Sequence, residues 1–567
     1  MSRRGRLGIA LGGALVLAAF AACTAPNLLR LLGQGPEKAY YNLQVEGFRA
    51  GRLDLARPVP AGLAALPDPW DPRANQPFRD AADGVHDLTF YRGRLYLYFG
   101  AAPALLLFWP YAALTGHFLY HSGAVLLFCA AGFGAGLLLL AALLRRHFPG
   151  LGAGTAFALT LALGLAGSIP LLLQRPDVWE VPIACSYLLE ALALGALWRA
   201  IGPPEGRARW SAALGLCLGL SVGCRPHTAP AALLALLPAW AEWRERGRAR
   251  VPRLLLAAGA PLAACALALC AYNAARFGDP LTFGQRYQLS GDQGYYPRHF
   301  SAGYLGYNLR TYFLEPGRWT AVRPFYRPPA GPPPPAGHVG VDPTSDPFAL
   351  LPNIPFLLLA LAAPLAWRGR EPSERARLRR LAAALAWLFA AAAGPLLLYF
   401  GCCSRYEFEF LAPLLWLAIL GAAGLERALA GRPVPRRWAR AGWSALLLAS
   451  LAFNAAAAAE HAAQIRYALG NSLLALGRPA ADAAAQYQIA VELEPDFAEA
   501  HGNLGVALLR AGRLPEAILH DREAVRLRPG SAGAHFNLAG ALRQAGATAE
   551  AASEYGAAQR LLAGAGR

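Results

Sequence analysis

The sequence has almost no lysine. It carries 53 basic residues against 35 acidic ones, and Lys38 is the one lysine. Charge is also missing from long stretches of the 567 residues, which are 56% hydrophobic. That excludes an ordinary soluble protein of this size and points to the membrane class. A net charge of +18 would suit a nucleic-acid binder, but the arginines cluster between apolar runs. That placement reads as membrane topology, and no nucleic-acid partner is expected. The arginine, alanine and proline bias fits a GC-rich bacterial genome. Metal-ligand spacing is absent among the nine cysteines. Cys129, Cys185, Cys217, Cys265 and Cys270 lie in apolar runs, where cysteine acts as a small hydrophobe. Cys402-Cys403 is vicinal and near a membrane edge, and buried unpaired cysteines are common. No acidic pair makes a metal site, so neither a metal nor a cofactor is expected.

The N-terminus, Ser2-Arg3-Arg4-Gly5-Arg6 followed by an apolar run, resembles a signal peptide. The run is long enough to span, and Phe20 stands where a lipoprotein box prefers Leu, which favours an uncleaved first transmembrane helix at 1–24. Further spans are expected at 121–144, 151–174, 180–200, 209–224, 226–243, 253–273, 348–367, 381–400, 409–427 and 441–459. The stretch 101–115 is apolar but short and holds Pro103 and Pro110. Read as interfacial or re-entrant, it leaves about 11 spans and puts every arginine cluster on one side. These clusters are the N-terminal arginines, Arg145-Arg146, those at 199–209 and 244–253, Arg368 to Arg380 and Arg427 to Arg440. An odd count puts the C-terminus opposite the N-terminus, which in a bacterial inner membrane is the periplasm. The expected organisation is a first helix (1–24), an exterior loop (25–120), a polytopic domain (121–460) with an exterior loop at 274–347, and a C-terminal domain (462–567).

The last hundred residues repeat with a period of 34. Leu504-Gly505, Gly512, Ala517 and Ala524 return as Leu538-Ala539, Gly546, Ala551 and Ala558. An earlier copy has Leu469-Gly470, Gly477, Ala483, Tyr487, Ala490 and Pro495, with one extra residue in its inter-helix turn. Small residues at these positions let two antiparallel helices approach closely. With Pro529, the pattern resembles the tetratricopeptide (TPR) repeat, which implies an α-solenoid of about three repeats and a protein partner. The fold class expected is all-α, a polytopic transmembrane bundle followed by this solenoid.

A group of acids outside the repeats, Glu37, Glu46, Asp54, Asp68, Asp71, Asp80, Asp83 and Asp87, lies in the first exterior loop, with aromatics crowding His86–Gly100. A carboxylate there could take a proton from an attacking hydroxyl; such acids are more often solvated, and such tyrosines more often mark the bilayer boundary. Three exterior corners carry isolated arginines: Arg175, Arg225 and Arg405, the last followed by Tyr406. Arginine on the sparsely charged side suits a lipid phosphate or, equally, a salt bridge to an acid such as Glu180 or Glu409.

The blocks YYNLQVEGFRAGRLDL (Tyr40–Leu55), LPDPWDP (Leu66–Pro72), HDLTFYRGRLYLYFGAAPALLLFWP (His86–Pro110), YNAARFGDPLTFGQRYQLS (Tyr272–Ser290) and SRYEFEFLAP (Ser404–Pro413) resemble those of bacterial membrane proteins of the GT-C glycosyltransferase superfamily. The resemblance covers roughly 1–460. It implies a polyprenyl-phosphate-linked sugar donor, inversion in one step, and an essential acid in the first exterior loop. In relatives that acid follows soon after the first helix, often as a pair; here the nearest counterpart is Glu37, with Glu46 further on and no pair. Asp87 or Glu46 is the expected base. Arg286 and Arg405 are expected at the phosphate, with Tyr406, Arg225 and Arg175 as further donor-binding groups. A membrane-anchored TPR scaffold without catalysis is the second reading. A transporter is the third, and it lacks the ionisable midplane residues it needs, Glu190 being the main exception.

Overall fold

A computed structural model describes residues 3–30, 39–79, 84–85, 87–289, 299–319, 326–327, 333–341, 348–475 and 477–565. The chain divides into two compact units. The first comprises Met1–Ala22, Gly35–Gly317 and Pro328–Asn454; the second comprises Cys23–Gln34, Arg318–Arg327 and Ala455–Arg567. Helix dominates both, and the few strands are short connecting pieces.

Among the described residues, 7 helices are long and apolar enough to cross a membrane. They are Arg3–Ala25, His121–His147, Glu180–Ala200, Val251–Phe277, Pro372–Leu397, Ser404–Ala428 and Pro433–Leu474. Three of the other expected spans, 151–174, 226–243 and 348–367, are built differently, and proline is the reason. The segment 151–174 is two helices, Ala153–Leu165 and Ile169–Gln174, with Pro170 opening the second. The segment 226–243 starts as a 3-10 helix, Pro226–Leu236, and continues as an α-helix, Leu237–Arg246. The segment 348–367 is mainly a 3-10 helix, Pro355–Ala366. Each proline removes one N–H and disfavours the α conformation before it. The 3-10 form compensates in reach: its rise of about 2.0 Å per residue exceeds the 1.5 Å or so of an α-helix. The segment 209–224 falls within the α-helix Arg207–Cys224.

In the first unit the arginine-rich helix ends converge. Arg377 donates to the Trp198 carbonyl at 2.7 Å, and Arg370 to the His147 carbonyl. Arg207 donates to the Gly202 carbonyl at 2.6 Å, and Arg427 to that of Leu365 at 3.1 Å. The acids at this end are taken up as well. Glu242 pairs with Arg207, Glu245 with Arg207 and Arg380, and Glu426 with Arg436 and Arg440.

The stretch 101–115 lies at the opposite end. Phe108 stacks on Tyr41 at 5.1 Å, and both approach His121, the first residue of its helix. Gly100, just before the stretch, abuts Gly223, near the last residue of Arg207–Cys224. Both flanks therefore meet helix ends remote from the arginine clusters. Leu105, Leu106 and Leu114 are exposed along it.

In the second unit, antiparallel helices alternate: Ala480–Leu493, Ala498–Arg510, Leu514–Leu527, Ala532–Gln544 and Thr548–Ala565. The same turn recurs three times. Gly477, Gly512 and Gly546 have φ of 66°, 78° and 80°. The following residue donates to a carbonyl five positions back: Arg478 to Leu473, Arg513 to Leu508, Ala547 to Leu542. This left-handed cap closes the helix at low cost only with glycine. The extra residue of the first copy sits after its turn, so that the next helix starts at Ala480.

Helix Ser404–Ala428 packs against Pro355–Ala366 at backbone distance. A Cβ on Gly421 would lie 1.8 Å from the Leu359 carbonyl oxygen. Gly421→Ala should therefore lower the unfolding midpoint of the detergent-solubilised chain, at a cost of roughly 1–3 kcal/mol. Gly442→Ala, where a Cβ meets nothing within 4 Å, should leave it unchanged or raise it. Equal midpoints for the two variants would refute this packing.

Candidate functional site

The site begins with a hairpin. Thr89–Tyr91 pairs antiparallel with Arg94–Tyr96 across a turn at Arg92-Gly93, whose φ values are 49° and 73°. Two positive φ angles match the twist of a two-residue hairpin. The segment after helix Val251–Phe277 adds to it: Thr89 bridges Gln288, Asp87 N–H donates to Leu289 O at 3.1 Å, and Leu289 N–H donates to Leu88 O at 2.8 Å. Trp70 ties the two layers, its indole N–H shared between Phe90 O and Tyr287 O at 3.2 Å each. The two exterior loops read from the sequence thus meet edge to edge. Asp87 itself has φ 58°, a left-handed conformation that Asp tolerates better than most residues.

Three helix ends supply the rest. Trp179 precedes helix Glu180–Ala200, Arg225 follows Arg207–Cys224, and Arg405 opens Ser404–Ala428. The Trp179 indole donates to Asp87 Oδ2 at 3.0 Å. Arg405 lies over the same indole, 5.1 Å from the Trp179 ring centre. Arg225 lies 5.9 Å from the Tyr406 ring centre and is ion-paired with buried Glu409, which also meets His227. Burial pushes the Tyr98 hydroxyl well above its ordinary value; Asp87 adds to that, and Arg225 and Arg405 oppose it. Tyr40 is pushed up to about 12, by burial first, with Arg57 opposing and Asp177 and Asp87 adding. Tyr98 and Tyr40 therefore sit within the electrostatic reach of Asp87. Arg175 and Arg405 both act on Glu180.

Of the sequence-predicted residues, the structure brings Asp87, Arg225, Arg405, Tyr406 and Arg175 into one region. Glu46 is apart: it is half-exposed and paired with Arg49 at 2.9 Å, one helical turn away. Arg286 is exposed on the turn Gln285–Tyr287, three residues before the Asp87 partner Leu289. Glu37 lies outside the described residues. Trp179, Tyr98 and His227 join the Asp87 region. All three lie in or beside the aromatic segment His86–Gly100 or the corners at Arg175 and Arg225, but only the fold makes them neighbours. Among the described residues no group of three or more His, Cys, Asp or Glu could hold a metal. The arrangement offers a carboxylate flanked by guanidinium groups and phenols, suited to proton removal beside a developing anion.

The arm presents a second kind of site. One polar contact recurs between the helices of each repeat with different chemistry: Arg466 to Gln486 at 2.9 Å, His501 to His520 at 3.0 Å, and His535 to Glu554 at 2.5 Å. His501 Nε2 is 3.0 Å from the Pro495 carbonyl, so that nitrogen carries the proton. Nδ1 is then the acceptor, and His520 donates to it. Another recurring position is Tyr487, Asp521 and Tyr555. Tyr487 donates to Asn471 at 2.6 Å, whereas Asp521 is 1% exposed and, among the described residues, neither carboxyl oxygen has a hydrogen-bond partner.

A tetratricopeptide repeat family model matches residues 467–532. No curated protein matches the chain. The C-terminal region is thus a TPR region, of a kind that takes a protein partner, and it follows a body with several helices apolar enough to span a membrane.

Burial lifts the Asp521 carboxyl from 3.8 to about 7. The folded arm therefore holds a proton that the unfolded chain releases. Its contribution is complete below pH 3.8 and lost as pH rises to about 7. Asp521→Asn does not titrate, so its stability advantage over the parent should grow from pH 4 to pH 8, reaching roughly 1–3 kcal/mol. Chemical denaturation followed by circular dichroism reads this directly. An advantage that is constant or shrinks with pH would contradict the buried, unpartnered carboxyl.

Proposed function

We propose that the chain is a GT-C-type glycosyltransferase of the bacterial inner membrane, carrying a TPR arm that docks a protein partner. The observation that carries the reading is the convergence of Asp87, Arg225 and Arg405 at the helix ends remote from the arginine clusters. In the proposed reaction Asp87 takes the proton of an acceptor hydroxyl. The hydroxyl oxygen bonds to the anomeric carbon as the bond to the lipid phosphate breaks, with inversion. The phosphate leaves with its electron pair beside Arg405 and Arg225, whose fixed charges favour the departing anion over the donor ester. Trp179 fixes the Asp87 carboxylate, and Glu409 fixes Arg225.

The proposed topology has about 11 spans, the segments 151–174, 209–224, 226–243 and 348–367 joining the long helices. It keeps 101–115 out of the count because both its flanks meet helix ends of one side. With the N-terminal arginines inside, the TPR domain, 462–567, is periplasmic. A reporter that is active only in the periplasm should be active when fused after Arg567; activity of a cytoplasm-only reporter there would overturn the count.

The second reading is a membrane-anchored scaffold without catalysis, favoured by the TPR match. Sugar transfer from lipid-linked donors by the purified chain separates the two. Asp87→Asn should lower kcat by at least about 100-fold with unchanged expression, and Arg405→Ala should raise the donor KM. Glu46→Gln should keep most activity, since Glu46 lies apart in an exposed pair. Full transfer by the Asp87 variant would reject it as the base. No transfer with any donor, together with loss of cellular function on removing 462–567, would favour the scaffold.

A further inference from the structure

Helix Val251–Phe277 is the least covered of the long apolar helices: 11% of its most apolar stretch is buried, against 72% for Glu180–Ala200. Where it meets helix Leu237–Arg246, at the arginine-rich end, a cavity of about 430 Å³ opens outward. That volume is within the range of roughly 300–1,000 Å³ typical of ligand clefts. Its walls are Leu236, Ala239, Trp240, Trp243, Val251 and Leu255, with Arg248 at the edge. Both tryptophans are more than 40% exposed, in the position of an interfacial belt.

The charge around the cavity is one-sided. Arg244, Arg246, Arg248, Arg250 and Arg253 are all exposed along its rim segment. The two acids in the same stretch are already engaged elsewhere. Glu242 is buried against Arg207, and Glu245 is held by Arg207 and Arg380. None of the five rim arginines has an acid partner among the described residues. Arg248 lies 5.9 Å from the Trp243 ring centre and Arg380 lies 5.4 Å from that of Trp240. The Arg248 guanidinium thus stands beside a tryptophan that lines the apolar groove.

We propose that this groove is a binding site for one anionic diacyl phospholipid, its acyl chain against Trp240, Trp243 and Leu255 and its phosphate on Arg248 and Arg250. The apolar walls accept any acyl chain, and the unpaired arginines select the anionic headgroup, each contributing through charge and a bidentate fork. The inference rests on the body spanning a membrane. It is independent of whether the opposite end catalyses sugar transfer.

The test uses the full chain, reconstituted with equal amounts of phosphatidylglycerol and phosphatidylcholine, delipidated in detergent and examined by native mass spectrometry. Phosphatidylglycerol should be retained about 10- to 30-fold over phosphatidylcholine. Raising the salt concentration should erode that preference in the parent protein. Arg248→Gln with Arg250→Gln should bring the two lipids to parity, and Arg248→Lys with Arg250→Lys should keep most of the preference. Trp243→Ala should weaken retention of both lipids alike. Equal retention by the parent protein, a preference insensitive to salt, or a preference that survives the glutamine pair would each overturn the proposal.

Discussion

Where a long apolar helix ends, its last carbonyls have no partner within the helix. Lipid offers none, and a buried bare carbonyl costs on the order of 1–3 kcal/mol. In this chain guanidinium groups from other helices meet that need. Trp198, Gly202, His147 and Leu365 each present a carbonyl near a helix end, and Arg377, Arg207, Arg370 and Arg427 each donate to one of them. A cation at a helix C-terminus also faces the negative end of the macrodipole. Arginine suits the task better than lysine, because a rigid fork of five donors can serve a carbonyl and a carboxylate at once. Arg207 does so, reaching Gly202 O, Glu242 and Glu245. The lysine-poor composition is thus matched by a structural demand at one end of the bundle.

The other end is organised by a different economy of charge. Few arginines stand there, and they meet acids and aromatic faces rather than helix carbonyls. Glu409 holds both Arg225 and His227, and Trp179 contacts both Arg405 and Asp87. At the carbonyl-capping end guanidinium groups are spent on carbonyls and on Glu242, Glu245 and Glu426.

What the sequence made legible follows the range of the interactions involved. The TPR turns are local: a glycine at positive φ and two backbone bonds within six residues, repeated at fixed spacing. That is why Gly477, Gly512 and Gly546 announce the repeat. Arginine clustering is also local, and in the first unit arginine-bearing helix ends do meet. Proline effects were read less well. Pro226, Pro230, Pro355 and Pro364 turn continuous apolar runs into 3-10 segments, and hydropathy alone does not distinguish these from α-helix. The candidate site was legible only in fragments. Asp87 and Trp179 are 92 residues apart, and Arg225 and Glu409 are 184 apart. No spacing rule links such partners. The sequence supplied the right residue types at helix ends, and packing decided which of them meet; Glu46 instead pairs with Arg49 on its own helix.

The capping arginines come late in the chain. His147 waits for Arg370, 223 residues further on, and Trp198 waits for Arg377, 179 residues further on. At a synthesis rate of roughly 5–20 residues per second, His147 waits about 11 to 45 s after it leaves the ribosome. Until then the ends of two early helices rest on water alone. The bundle therefore has a built-in order of assembly. Its first half already packs closely, Gly215 lying against the Ala258 carbonyl, and residues 370–380 act as a later seam that joins helices made long before. Truncation ahead of that seam removes more than the missing helices: it leaves the earlier ones without their fasteners.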